Sequence, residues 1–140
     1  MGFRVDYRNQ MAIAEVGGKK CRFRSQLEWR FARYLELLKC SGQISEWQYE
    51  AAQFCFPDDK WLVDFVVQLP GGEIEYYECK GYFDARSRRK IRLLSKYYPE
   101  IQINFVFAKK SDAKRLSKRA RAACKRICVF GTRGLVDIKP

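Results

Sequence analysis

Apolar side chains recur at helical spacing in the segment that follows Ser25. The stripe comprises Leu27, Phe31, Tyr34, Leu35 and Leu38. Because these positions are one to four residues apart, they fall on one side of a helix and predict a buried face. Ser25 and Glu28 have the Ser-x-x-Glu spacing of a capping box, and Ser41-Gly42 ends the pattern. This segment is therefore predicted to be an amphipathic helix.

Strand patterns follow this helix. Apolar or alternating runs bounded by turn residues predict strands at 44–49, 53–56, 61–69, 73–80, 101–108 and 127–130. The Pro-Gly-Gly sequence at 70–72 is typical of a hairpin turn. Helical patterns return at 84–98, where Pro99 ends the helix, and at 112–125. The order of elements predicts an α/β or α+β fold, in which a central mixed sheet is flanked by helices.

One domain over residues 1–140 is predicted, because a chain of 140 residues can bury a single core. Residues 1–20 are a polar lead-in that is expected either to be mobile or to add a short strand. No run of about 18 apolar residues predicts a membrane-spanning helix, and the first ten residues lack the apolar core of a signal peptide. The chain is therefore expected in the cytoplasm, without a membrane partner.

Positive charge is concentrated in the second part of the chain. The formal net charge is +12, yet residues 1–80 contain 11 basic and 12 acidic residues, whereas residues 81–140 contain 17 basic and four acidic residues. This asymmetry favours a polyanionic partner, and nucleic acid before an anionic membrane. Six basic residues are predicted to contact phosphates: Arg86, Arg88, Arg89, Lys90, Arg92 and Lys96. The alternative for them is a solvated helix face.

The chain contains no histidine, which excludes several mechanisms. Ser-His-Asp and Cys-His catalysis cannot operate, and histidine-based metal sites cannot form. The six cysteines include no Cys-x-x-Cys pair, so buried free thiols are expected rather than a structural zinc site. An enzyme built on this sequence must use carboxylates, lysine, tyrosine or cysteine.

Two neighbouring predicted strands carry charged residues within apolar runs. Asp64 interrupts the run at 61–69, and burying an aspartate is costly unless it pairs or binds a cation. Glu78 and Lys80 are two positions apart on the next strand, so they project from the same face. Pairing across the turn at 70–72 brings Asp64 near Glu78. We therefore expect two carboxylates and one ammonium group at one site.

Such a group suits hydrolysis of a phosphodiester. Two carboxylates can hold Mg²⁺ or Mn²⁺, which prefer oxygen ligands. The metal can polarise a phosphate and lower the pKa of a bound water, while a nearby lysine orients that water or stabilises developing charge. A metal-dependent nuclease that acts on DNA is the predicted function.

These residues resemble the motif of the PD-(D/E)xK nuclease superfamily. In that motif an acid on one strand precedes Glu-x-Lys on the next, after a helix that often carries a further glutamate. Asp64 matches the first acid, and Glu78 and Lys80 match the Glu-x-Lys element. Glu28 matches the helix acid, and Val63 stands where the motif has proline. The resemblance implies a restriction-endonuclease-like core and a catalytic role for all four charged residues.

A narrower resemblance covers roughly residues 17–107. The sequences Phe-Arg-Ser-Gln-Leu-Glu at 23–28, Glu-Cys-Lys-Gly at 78–81 and Lys-Tyr-Tyr-Pro-Glu-Ile at 96–101 resemble small phage and prophage nucleases of the endonuclease I or Holliday-junction-resolvase type. The resemblance implies branched DNA as the substrate and the backbone carbonyl of Cys79 as a further metal ligand. Two symmetric cuts in branched DNA would require a homodimer.

Each charged residue also has a structural explanation. Glu28 could complete the capping box instead of facing the sheet. Asp64 could form a structural pair with an arginine, and Glu78 and Lys80 could form an exposed ion pair. For the whole chain, the alternatives are a DNA-binding protein that does not cleave and a basic RNA-associated protein.

Overall fold

The computed structural model describes residues 4–6, 11–131 and 134–138 and arranges them as two sheets and four helices. The smaller sheet contains β1 (Arg4–Asp6), β2 (Met11–Val16) and β3 (Lys19–Phe23). The larger sheet contains β4 (Glu46–Phe56), β5 (Asp59–Gln68), β6 (Ile74–Lys80), β7 (Ile103–Phe107), β8 (Cys124–Gly131) and β9 (Gly134–Asp137), hydrogen-bonded in that order. The helices are α1 (Gln26–Cys40), α2 (Ala85–Tyr97), α3 (Lys110–Ala113) and α4 (Lys118–Ala123).

The larger sheet is mixed. β4, β5 and β6 run antiparallel and follow one another through tight turns. β6, β7 and β8 run parallel, and each parallel pair needs a crossover connection. Helix α2 forms the crossover between β6 and β7, and the short helices α3 and α4 lie in the crossover between β7 and β8. β9 then pairs antiparallel with β8. The predicted α+β class, with a mixed sheet flanked by helices, is confirmed.

Two clusters of buried apolar side chains cover the two faces of this sheet. The α1 cluster joins α1 and the smaller sheet to the larger sheet, and includes Phe23, Phe31, Leu35, Trp47 and Phe65. The α2 cluster lies beneath α2 and α4, and includes Trp61, Ile91, Leu94, Phe105 and Ile127. Alternation along β7 sends Phe105 into the α2 cluster and Val106 into the α1 cluster.

The predicted strands at 44–49 and 53–56 form one long strand, β4, with a bulge in the middle. Tyr49 pairs with Phe65 and Ala52 pairs with Val63, so Glu50 and the following alanine both lie opposite one residue of β5. That residue is the aspartate at 64. Glu50 has a φ of +53°, a left-handed conformation that is unfavourable for a residue other than glycine. Bulges bend a strand and redirect its side chains, and this one lies beside the predicted acid site.

The predicted helix at 112–125 is wrong. Two short helices, α3 and α4, occupy this region, and Ser117 begins the second by accepting a hydrogen bond from the amide of Ala120 (3.2 Å). The chain then becomes strand at Cys124, which pairs with Ile103. Pairing with β7 thus overrides the local helical pattern. The strand predicted at 127–130 is present as part of the longer strand β8.

The polar lead-in contributes β1, β2 and the first two residues of β3, and β2 and β3 form an antiparallel hairpin. Its residues 1–3 and 7–10 lie outside the described part of the chain. All six cysteines are free thiols, but the expectation that they are buried is wrong for four of them: only Cys124 and Cys128 are buried, and Cys40 and Cys55 are exposed. Among the described residues, none of the helices has the length and apolar character needed to cross a membrane.

Candidate active site

The ladder between β5 and β6 ends where the candidate acids lie. Phe65 pairs with Tyr77, and beyond this pair side chains replace backbone partners. Glu78 Oε1 accepts a hydrogen bond from the Asp64 amide (3.0 Å), and Asp64 Oδ2 accepts one from the Cys79 amide (2.8 Å). Each carboxylate therefore ties its own strand to the backbone of the other. The structure brings Asp64 and Glu78 together, as strand alternation predicts.

Both carboxylates are deeply buried. Asp64 is 2% exposed and Glu78 is 5% exposed. Burial raises the pKa of Asp64 well above its ordinary value, and the negative charges of Glu78 and Glu28 raise it further. The hydrogen bond from the Cys79 amide and the charge of Arg24 act in the opposite direction. The site therefore concentrates negative charge in a place where a cation would be stabilised.

Lys80 lies beside this acid pair. Its Nζ atom is 3.2 Å from Glu78 Oε2, and its side chain is only partly exposed. The expected alternative, an exposed ion pair, does not describe Glu78, which is buried. Burial raises the pKa of the intervening Cys79 thiol, and Asp64 raises it further, which disfavours the nucleophilic thiolate form.

Glu28 has a backbone that takes part in the cap of α1 and a side chain that lies at the acid site, and its catalytic role stays a prediction. Its amide donates to Ser25 Oγ (3.1 Å), which caps the start of α1. Its carboxylate, however, is buried and accepts hydrogen bonds from the Tyr49 hydroxyl and from Ser25 Oγ. Burial raises the pKa of Glu28, and the hydrogen bond from Tyr49 together with the charge of Arg24 partly offsets that rise. Glu28 thus faces the acid site while its backbone is capped.

Arg24 and Glu50 belong to the site but were not selected from the sequence. Arg24 Nη2 lies 3.0 Å from Asp64 Oδ1 and 3.2 Å from Glu50 Oε2. An arginine pair for Asp64 is therefore present, together with the predicted carboxylates. The position of Arg24 just before the capping Ser25 was a signal that it lies near Glu28. No local signal identifies Glu50, because the bulge in β4 brings it to the site.

The six basic residues predicted to contact phosphates lie on α2 in different environments. Partial burial and the charge of Arg86 lower the pKa of Lys90, and Glu78 and Lys80 also act on Lys90 electrostatically. Arg89 instead pairs with Asp59 (2.8 Å). The other exposed members of the set are Arg86, Arg88, Arg92 and Lys96. Lys90 is therefore the member of the set that interacts electrostatically with Glu78 of the acid pair. Contact of these six residues with DNA stays a prediction.

The donor atoms of the acid pair fit a divalent cation such as Mg²⁺, which prefers carboxylate oxygens. Within residues 4–6, 11–131 and 134–138, no group of three or more Asp, Glu or Cys side chains is arranged to hold a metal ion. Each oxygen of Asp64 and Glu78 accepts from or contacts a nitrogen, and two of these nitrogens belong to the side chains of Arg24 and Lys80. The Arg24 and Lys80 side chains are 48% and 24% exposed, and a cation that bound the oxygens facing them would have to displace them.

A buried carboxylate pair beside a lysine, in a basic protein, has the chemistry that phosphodiester hydrolysis requires, as in a nuclease. The family model for phage endonuclease I matches residues 10–134, and the chain belongs to this family. The family indicates an endonuclease with DNA as its substrate. Neither the curated proteins nor the solved structures contain a match to the chain. The resemblance to the wider PD-(D/E)xK superfamily stays a prediction.

Proposed function

We propose that this chain is a Mg²⁺- or Mn²⁺-dependent endonuclease that hydrolyses phosphodiester bonds in branched DNA. The observation that supports the proposal most directly is the buried pair of Asp64 and Glu78 with Lys80 beside it. Two adjacent buried carboxylates are costly even when each oxygen has a nitrogen partner, and a functional cation would offset that cost.

Each residue of the site has a distinct role in the proposal. Asp64, Glu78 and the backbone carbonyl of Cys79 would hold the metal. When bound, the metal would polarise the scissile phosphate and lower the pKa of the attacking water. Lys80, fixed 3.2 Å from Glu78, would orient that water and stabilise charge on the phosphoryl oxygens. Glu28 would support the site through its contacts with Tyr49 and its charge near Asp64.

Selection of branched DNA is proposed from the family and from the kind of surface that surrounds the site. Exposed basic residues on α2 are suited to backbone phosphates, which give affinity without reading sequence. A protein that contacts only the phosphate backbone of DNA can select its substrate by the shape of the DNA. Paired cuts in the two strands of a junction would need two active sites, which a homodimer would supply.

The test is cleavage of an end-labelled four-way junction and of its linear duplex in Mg²⁺, Mn²⁺ or EDTA. Glu78→Gln removes one buried carboxylate charge, and Glu73→Gln is the matched control because Glu73 is exposed on the turn before β6. We expect metal-dependent junction cleavage that falls by about 100-fold or more in Glu78→Gln and is unchanged in Glu73→Gln.

The other outcomes separate the parts of the proposal. Equal cleavage of junction and duplex would support the nuclease and contradict selection of branched DNA. Cleavage that persists in EDTA would contradict metal dependence. Binding to the junction without cleavage in either metal would favour a DNA-binding protein that does not cleave, and stronger competition by RNA would favour an RNA-associated protein.

A further inference from the structure

Arg24 places its guanidinium inside the acid site. One nitrogen, Nη2, lies within 3.2 Å of oxygens from both Asp64 and Glu50, so it bridges two carboxylates. Among the residues that the structure describes, Arg24 is the only basic side chain in direct contact with Asp64. A positive group thus lies against Oδ1 of the same carboxylate that would hold the proposed metal.

The surroundings of Asp64 explain why a positive group is needed there. Asp64 is buried next to Glu78 and within electrostatic reach of Glu28, so its charge is unfavourable unless a cation compensates it. Arg24 supplies one positive charge, whereas a divalent metal supplies two. A divalent metal bound by Asp64 would therefore compete with Arg24 for one carboxylate.

We propose that Arg24 is the internal counter-ion of this site and a positioning residue for the reaction. It holds Asp64 while no metal is bound, gives up Oδ1 when a divalent metal binds, and then turns to a phosphate of the DNA. This inference rests on the proposed metal-dependent function, and it assigns to Arg24 a role that a permanent structural ion pair would not have.

The position of Arg24 permits this exchange. Its side chain is 48% exposed, whereas the Asp64 side chain beneath it is 3% exposed. Its second partner, Glu50, is 27% exposed, and a solvent-accessible ion pair of this kind contributes little and separates readily. A guanidinium binds phosphate as well as carboxylate through the same planar set of donors. The released side chain therefore has a suitable partner in the DNA backbone at the edge of the site.

The experiment is calorimetric titration of Mn²⁺ into the full chain in the absence of DNA. Arg24→Gln removes the competing charge, and Arg24→Lys keeps a charge without the planar set of donors. The matched control is Arg22→Gln, which removes the same charge from an exposed position on β3. We expect Mn²⁺ to bind Arg24→Gln about tenfold more tightly than the unaltered chain, Arg24→Lys to be intermediate, and Arg22→Gln to stay within about twofold.

Thermal unfolding supplies a second readout. Arg24→Gln should unfold at a lower temperature than the unaltered chain in EDTA, because Asp64 loses its counter-ion. The difference should disappear in saturating Mn²⁺, since the metal then supplies the charge. An ion pair with a structural role alone would instead lower the unfolding temperature equally with and without metal.

The outcomes distinguish this inference from the proposed function. Unchanged or weaker Mn²⁺ binding by Arg24→Gln, while the unaltered chain binds the metal, would overturn the role of Arg24 and leave the nuclease proposal intact. Failure of the unaltered chain to bind Mn²⁺ would overturn both. Should Arg24→Gln fail to fold, Mn²⁺ binding by Arg24→Lys that equals that of the unaltered chain would overturn the inference.

Discussion

At the scale of single residues, the energetics of the site centre on Asp64. Its carboxylate is buried, two other carboxylates act on it electrostatically, and a backbone amide and one arginine stabilise it. A site of this kind costs stability in the folded protein and is retained where the charge is useful. Removing the charge should therefore stabilise the metal-free protein while it abolishes metal binding.

Asp64→Asn tests this cost through its pH dependence. Because the pKa of Asp64 is raised in the folded state, its contribution to stability is present when it is protonated and is lost as the pH rises above its ordinary value of 3.8. Asparagine has no such dependence. In urea unfolding with EDTA, the stability advantage of Asp64→Asn over the unaltered chain should grow as the pH rises above 3.8. A difference that stays constant, or shrinks, across this range would contradict the raised pKa.

At the scale of elements, the start of α1 combines two tasks that are usually separate. Ser25 Oγ accepts from the Glu28 amide and donates to the Glu28 carboxylate, so the helix cap also fixes an acid of the site. The start of α4 has a similar cap, in which Ser117 Oγ accepts from the Ala120 amide (3.2 Å), but no acid of the site is attached to it. A comparison of the two caps therefore distinguishes an effect on helix stability, which both have, from an effect on the acid site, which only the Ser25 cap has.

Ser25→Ala and Ser117→Ala form a matched pair. Each removes one N-cap, so each should lower the free energy of unfolding by about 1 kcal/mol. Only Ser25→Ala should also slow junction cleavage, because it frees the Glu28 carboxylate from one of its hydrogen-bond partners. Urea unfolding and single-turnover cleavage measure the two effects. Equal cleavage rates in the two variants would show that Ser25 acts on the helix alone.

At the scale of the whole molecule, charge is divided between the acid site and the basic second part of the chain. The strands β5 and β6 carry the acids, whereas α2 and the segments after it carry most of the excess positive charge. A basic surface beside an acid site attracts a polyanion, while the acids would bind the proposed metal. The basic side chains on α2 should therefore contribute to DNA affinity through the phosphates.

Lys90→Gln tests this division of charge. If Lys90 contacts a phosphate, the slope of the logarithm of the binding constant against the logarithm of salt concentration should fall by about 0.9. Lys125→Gln is the control, because Lys125 lies on β8 and pairs with Glu75 (3.3 Å). Fluorescence anisotropy of a labelled junction in EDTA gives both slopes. An equal change of the slope in the two variants would mean that DNA affinity depends on the net charge of the protein rather than on a phosphate contact of α2.

Local sequence patterns are sufficient to predict most helices and strands and the main acids. The spacing of apolar residues and the Ser-x-x-Glu signal located α1, and the turn at 70–72 located the β5–β6 hairpin. Strand alternation then placed Asp64 and Glu78 together, because two strands joined by a tight turn have a fixed register. All of this information lies within short stretches of the chain.

The other contacts of the site depend on how distant segments of the chain pack together. Arg24 is 40 residues from Asp64, and Arg89 is 30 residues from Asp59, so no local pattern connects them. The bulge that brings Glu50 to the site depends on the pairing of β4 with β5, and the end of α4 depends on the pairing of β8 with β7. The physical reason is that periodicity and capping act over a few residues, whereas long-range pairing and the compensation of buried charge are settled only when distant segments meet.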